Sequence, residues 1–186
     1  EHEEGRDYTK IVFNPGRLEV AKCYNLWRGF AVEPSDEGSC ERYLEHVRKN
    51  ICSGNREHFD WLIDWMADLV QNPGGDRPGT AVVLRGKQGT GKSIFVHLFG
   101  EIFDQHYKHI TGQEQFLGRF NGHLKDSLLV FVDEGFWAGS KEAEGRLKGL
   151  ITEKTVMVEQ KYKDAVSLRN FARFVFASNS SWVIPA

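Results

Sequence analysis

Apolar positions along the chain follow two different periods. Over residues 56–71 ("REHFDWLIDWMADLVQ") Phe59, Leu62, Ile63, Met66 and Val70 recur at helical spacing, and Trp61, Trp65 and Leu69 form a second stripe. Two stripes predict a helix that packs on two sides, with its tryptophans in the core. Asn55 is its predicted cap. A shorter helix is predicted over 40–51, capped by Ser39, with Leu44, Val47 and Ile51 on one face and "CSGN" as its stop. Residues 8–38 mix short β-prone runs with Asn-Pro-Gly and Glu-Pro-Ser turns, which predicts an irregular arm holding one or two short strands.

After the Pro/Gly-rich loop "QNPGGDRPG" (71–79) the texture changes. "TAVVLRG", "SLLVFVDE" and "FARFVFASN" are short continuous apolar runs, as expected of parallel strands buried on both faces. Between them the pattern predicts a helix from Lys92 to about Phe103 and a short strand at "YKHIT". A further helix over 140–151 is capped by Ser140 and turns Ala143, Leu147, Leu150 and Ile151 inward. Strands alternating with helices define an α/β fold with a parallel sheet. The chain thus divides into an N-terminal arm with a two-helix segment (1–79) packing on a core of 80–186. Within that core, residues 155–160 and 165–168 read as a hairpin, with Lys161, Tyr162, Lys163 and Asp164 at or near its tip.

Composition narrows the classes only slightly. The 186 residues are 40% hydrophobic and 27% charged, ordinary for a packed soluble domain, and the net charge of −2 offers no global basic field. A nucleic-acid site would have to be local. Three cysteines without CxxC spacing fit reduced thiols in a cytoplasm-like compartment. No apolar run approaches the roughly 18 residues of a membrane span. His106 and His109 form HxxH, but no cysteine or acidic cluster joins them, so the spacing is not read as a metal site.

The chemistry concentrates at "GKQGTGKS". Gly86, Lys87, Gln88, Gly89, Thr90, Gly91, Lys92 and Ser93 match GxxxxGK[ST] between a strand and a helix. Gly89 and Gly91 allow backbone angles closed to other residues, so amides across Gln88, Gly89, Thr90 and Gly91 can face phosphate oxygens. A helix N-terminus adds positive charge there. Lys92 is expected on the β- and γ-phosphates of ATP, and Ser93 on Mg²⁺. Asp133 ends a buried strand and is the second expected magnesium residue, while Glu134 beside it is placed to polarise water. Asn179 ends another such strand, where an amide can orient that water.

These motifs, in this order, resemble the superfamily 3 helicase-like ATPase domain of phage and plasmid primase–helicases, the type associated with primase-polymerases. The stretches "YNLWRGFAVEP", "RPGTAVVLRGKQGTGKS", "LLVFVDEGFWAG" and "EGRLKGLITEKTVMVEQKYKDAVSLRNFARFVFASNSSWVIPA" carry the likeness from about Tyr24 onward. The resemblance implies an AAA+-like P-loop NTPase fold with a hairpin before the sensor strand. It also implies ATP hydrolysis with Mg²⁺, a homo-oligomeric, hexameric ring in the full-length protein, and a fused or associated primase-polymerase. Lys161, Tyr162 and Lys163 are the implied contacts to single-stranded DNA, although a charged tip is also ordinary for a solvated hairpin. The family's arginine finger and fifth strand would lie after Ala186. The fragment is therefore expected to bind nucleotide better than it hydrolyses it, with "TAVVLRG" as an edge strand or covered by the arm. Two other classes stay open on the residues: a packaging or remodelling motor, and a nucleotide-dependent oligomerisation or loading module without robust turnover.

Overall fold

The computed structural model describes residues 7–118, 121–133 and 141–179. Four strands, β3 (Val82–Arg85), β8 (Arg173–Ser178), β5 (Leu129–Asp133) and β4 (Tyr107–Ile110), lie side by side in that order and all run parallel. The central strands β5 and β8 are buried along nearly their whole length, as their unbroken apolar runs predict. The first run behaves differently. β3 is an edge strand that alternates buried and exposed positions, leaving Val83 43% exposed. Helix α3 (Lys92–Gly100) follows β3 and sends Phe95, Val96 and Phe99 into the core. It stops three residues short of its predicted end, passing into a 3₁₀ turn (Glu101–His106) with Asp104 at φ 44°.

The N-terminal region covers one side of this sheet. Helix α1 (Glu41–His46) is shorter than expected, because the chain loosens into one π-helical turn (Val47–Ile51) closed by Cys52 N–H donating to Val47 O at 2.8 Å. Cys40, not the expected Ser39, is the residue at the cap and makes no side-chain capping bond; Ser39 Oγ accepts from the Glu41 amide at 3.1 Å just ahead of it. Helix α2 (Arg56–Gln71) begins with Asn55 Oδ1 accepting from the His58 amide. Its second stripe is buried only in part: Trp65 and Leu69 are core, whereas Trp61 is 49% exposed. Arg173, which opens β8, fixes the helix on the buried side by donating to Trp65 O (3.2 Å) and to the Asp68 carboxylate. Strands β1 (Lys10–Val12) and β2 (Cys23–Asn25) form a separate parallel pair in the arm.

The arm is tied down by His106, which is fully buried and stacked on Trp27. Its Nε2 accepts from the Arg28 amide (3.2 Å), and its Nδ1 donates to Asp126 O (2.8 Å), a pairing that fits only neutral imidazole. Burial holds its pKa below the usual imidazole value, and burial does the same to His123. Both histidines therefore bind protons more readily in the unfolded chain. Their contribution to stability is complete above about pH 6.5 and is lost as pH falls toward the lowered folded values. Thermal melts are expected to be flat from pH 8 to 7 and to decline below about 6.5. A melting temperature unchanged between pH 7 and 5 would contradict this.

Outside the sheet, strands β6 (Thr155–Gln160) and β7 (Lys163–Arg169) pair as an antiparallel hairpin, preceded by helix α5 (Lys141–Thr152). The turn is only two residues, Lys161 and Tyr162; Lys163 opens β7 opposite Gln160, and Asp164 follows it within the strand. A short helix, α4 (Gln113–Leu117), and a 3₁₀ turn (Gly122–Asp126) fill the crossover between β4 and β5. Among the described residues no helix is long and apolar enough to cross a membrane. The predicted cap Ser140 lies outside the described residues, as does the side chain of Ala143.

Candidate functional site

The loop of residues 86–93 joins the carboxyl end of β3 to the N-terminus of α3. Gly89 and Gly91 stand at φ 80° and 81°, the left-handed region that glycine enters without steric cost. Gly91 is doubly constrained. A Cβ there would lie 2.3 Å from the ring of His46, whose Nε2 sits 3.0 Å from Gly91 O. Asn50 reaches the other ring nitrogen of His46 at 2.7 Å. With Asn50 donating to Nδ1, the Nε2–H donates to the loop, so α1 holds the backbone where α3 begins.

Lys92 folds back over this loop. Its ammonium donates to Gly86 O (2.8 Å), Lys87 O (2.9 Å), Thr90 Oγ1 (3.4 Å) and Asn179 Oδ1 (3.1 Å). Thr90 Oγ1 in turn donates to Lys87 O at 3.0 Å. The contact with Asn179 spans 87 residues of sequence and exists because β8 lies beside β3, with Arg85 opposite Ser178. One residue further into α3, Ser93 Oγ donates to Asp133 Oδ2 at 2.8 Å. Asp133 closes β5, opposite Ala177 of β8. Three adjacent parallel strands thus deliver a lysine, an amide, a hydroxyl and a carboxylate to one spot at their carboxyl ends, where open α/β sheets gather ligands. Ser93 and Asp133 offer hard oxygen donors of the kind Mg²⁺ takes. Glu134 lies outside the described residues.

Three histidines near the site, His109, His97 and His46, were given no role there by sequence reasoning. His109 on β4 stacks on Phe131 and brings Nε2 to 3.8 Å from Asp133 Oδ2. Burial, then the nearby His97, hold its pKa below the usual range, with Asp133 opposing them. His97 meets the Tyr107 hydroxyl at 2.8 Å, and burial raises that phenol's pKa. His106, the other histidine of the HxxH spacing, ends the 3₁₀ turn before β4 and stacks on Trp27 in the arm, so the two histidines have different partners. His46 had no local signal at all, since its partner is 45 residues away.

The hairpin that holds the other candidate residues is a two-stranded sheet separate from the one that carries this site. Tyr162 is fully exposed, and its backbone stands at φ 63°. That is an unusual conformation for a bulky residue, worth roughly 1–3 kcal/mol of strain, and such strain tends to sit at working sites. Lys161 is exposed beside it.

A parallel α/β sheet that gathers these four side chains at its strand ends is the class of molecule that fold and site define. Residues 84–186 match a family of unknown function, DUF5906, and the chain belongs to that family. It is 32% identical over 141 residues to the DNA primase-polymerase of Nitratiruptor phage NrS-1, covering 74% of this chain and 19% of that protein. The apo structure of the NrS-1 C-terminal region superposes on 95% of this chain with a TM-score of 0.79 and 26% identity. A second, A-form apo structure of that region covers 91% with a TM-score of 0.74 and 26% identity. The chain spans 44% and 42% of those two solved chains.

Proposed function

We propose that this chain is the ATP-hydrolysing part of a phage or mobile-element DNA-replication protein, a P-loop translocase of superfamily 3 type acting on single-stranded DNA. One observation carries the proposal: Lys92 meets Asn179 while Ser93 meets Asp133, at the carboxyl ends of three neighbouring strands. The relationship to a phage DNA primase-polymerase supplies the replication context.

In this function the amides of the loop and the Lys92 ammonium bind the phosphates, and Lys92 exchanges its loop carbonyls for phosphate oxygens. Ser93 and Asp133 hold magnesium, which when bound neutralises phosphate charge. Asn179 orients the attacking water through its side-chain amide. Glu134 takes the proton from that water. His109 stays neutral beside Asp133 and adds no competing positive charge. Lys161, Tyr162 and Lys163 grip the strand, the lysines on phosphates and the phenol ring on a base. Homo-oligomerisation of the full-length protein into a ring brings several hairpins to one strand, multiplying a weak single grip.

The test is ATP turnover by the full-length protein with and without single-stranded DNA. Stimulation by DNA is expected, and Lys161→Ala/Lys163→Ala should weaken DNA binding and reduce the salt slope by about 0.7 per lost contact. Turnover indifferent to DNA favours a packaging or remodelling motor. No turnover at all favours a loading module. A double variant with unaltered DNA affinity at every salt concentration removes the hairpin from the mechanism.

A further inference from the structure

A two-stranded hairpin is marginal by itself, so something outside its own ladder must aim the tip. The base is well secured. Asn170 donates to Leu150 O (2.9 Å) and Glu153 O (3.4 Å), and accepts from the Ala172 amide at 3.2 Å. Arg77 donates to Ala172 O (2.8 Å) and Leu150 O (3.2 Å). Val156 and Val158 of β6 are buried in the same cluster as Leu124, Leu147 and Phe174. None of these contacts extends past Val158. Beyond it the ladder also becomes irregular, since one residue, Glu159, faces two on β7, residues 164 and 165. A bulge of this kind bends and twists a strand.

The outer edge of β6 is held at that point by Asn121. Its Nδ2 donates to Met157 O at 2.8 Å, and its Oδ1 accepts from the Glu159 amide at 2.9 Å. One side chain thereby satisfies the outward carbonyl and amide of β6 as a neighbouring strand would. Asn121 is itself only 8% exposed. Gly122 lets the backbone come close enough, because a Cβ there would lie 2.8 Å from Gln160 Cγ. From Gly122 the 3₁₀ turn runs through buried Leu124 to Asp126; Ser127, whose Oγ donates to His123 O at 2.7 Å, and Leu128 then lead into β5. The clamp therefore sits on the chain segment that leads to Asp133, while β7 leads into β8 and Asn179.

We propose that Asn121 is the positioning residue that aims the hairpin tip, tying Lys161 and Tyr162 to the strand that ends in Asp133. Its consequence for DNA rests on the translocase function proposed above; the clamp itself does not.

The test uses the full-length protein and three forms: wild type, Asn121→Ala and Asn121→Asp. The alanine removes both bonds. The aspartate keeps an acceptor for the Glu159 amide but sets a carboxylate against Met157 O. Hydrogen exchange at the Glu159 amide should rise about tenfold in Asn121→Ala, the loss of one hydrogen bond. It should stay near wild type in Asn121→Asp, while exchange in β8 is unchanged in both. For DNA, Asn121→Ala should raise the single-stranded DNA concentration for half-maximal ATPase stimulation several-fold and leave DNA-free turnover as in wild type. Equal Glu159 exchange in wild type and Asn121→Ala overturns the clamp. Raised exchange with unchanged DNA stimulation overturns the aiming role. If wild type itself ignores DNA, the translocase function fails and the exchange comparison still decides whether Asn121 holds the hairpin.

Discussion

Lys92→Ala is expected to lower affinity for ATP–Mg²⁺ by about 10²-fold or more. The ammonium is drawn over the loop, and each charge-assisted hydrogen bond it would make to phosphate contributes roughly 1.5–3 kcal/mol. Two such bonds suffice for the stated loss. The ammonium gives up Gly86 O and Lys87 O when it takes phosphate, which offsets part of the gain and keeps the expected loss below the sum of the new bonds. Glu134→Gln should behave differently in the full-length protein. Binding persists and turnover stops, since only the proton acceptor is removed. Isothermal titration with ATP–Mg²⁺, paired with a phosphate-release assay, separates the two. Equal loss of binding in both variants, or full binding by Lys92→Ala, contradicts the division of roles.

Asp68→Ala should produce the largest loss of stability outside the core. Arg173 is 3% exposed, and its guanidinium is matched by the Asp68 carboxylate and Trp65 O. Removing the carboxylate strands a buried cation, which costs about 3–5 kcal/mol in a closed interior. Asp68 is 42% exposed, so water reaches that end of the pair and about 2–3 kcal/mol is the better expectation. For a chain of this size that corresponds to a melting-point fall of roughly 4–12 °C. Arg173→Met, which removes the charge and keeps bulk, should cost less. The Arg173 hydrogen bond, then that of Asn72, hold the Asp68 pKa below its usual value. This stabilisation is complete above about pH 4 and disappears as pH falls through the lowered folded value. A melt of Asp68→Ala indistinguishable from wild type at pH 7 would refute the assignment. The effect reaches the site as well, because Arg173 opens the strand that ends beside Asn179.

Much of this was legible because it is local. Residues 86–93 demand glycine where φ is positive and a lysine where the helix begins, and both requirements act within eight residues. Asn55 capping α2 is equally short-range. The apolar runs of β5 and β8 announced burial on both faces, since no polar position interrupts either. That rule alone would bury β3 on both faces, whereas the family resemblance leaves it an edge strand or covered by the arm, and among the described residues it is an edge. Its sequence is as apolar as theirs, but whether a strand is an edge depends on its neighbours.

What the sequence by itself determined was therefore the set of local parts: a glycine-rich loop with a lysine where the helix begins, a carboxylate and an amide each closing an apolar strand, and a short basic turn. Tertiary structure alone decided that these meet. The order β3-β8-β5-β4 puts Asn179 on Lys92 and Asp133 on Ser93, across 87 and 40 residues of chain. The same packing enlisted His46 at Gly91, His109 at Asp133 and Asn121 at the hairpin, none of which carries a local pattern. Side-chain type and backbone propensity are properties of a few consecutive residues. A hydrogen bond between distant residues exists only once strand order and helix packing have brought its two atoms within about 3 Å.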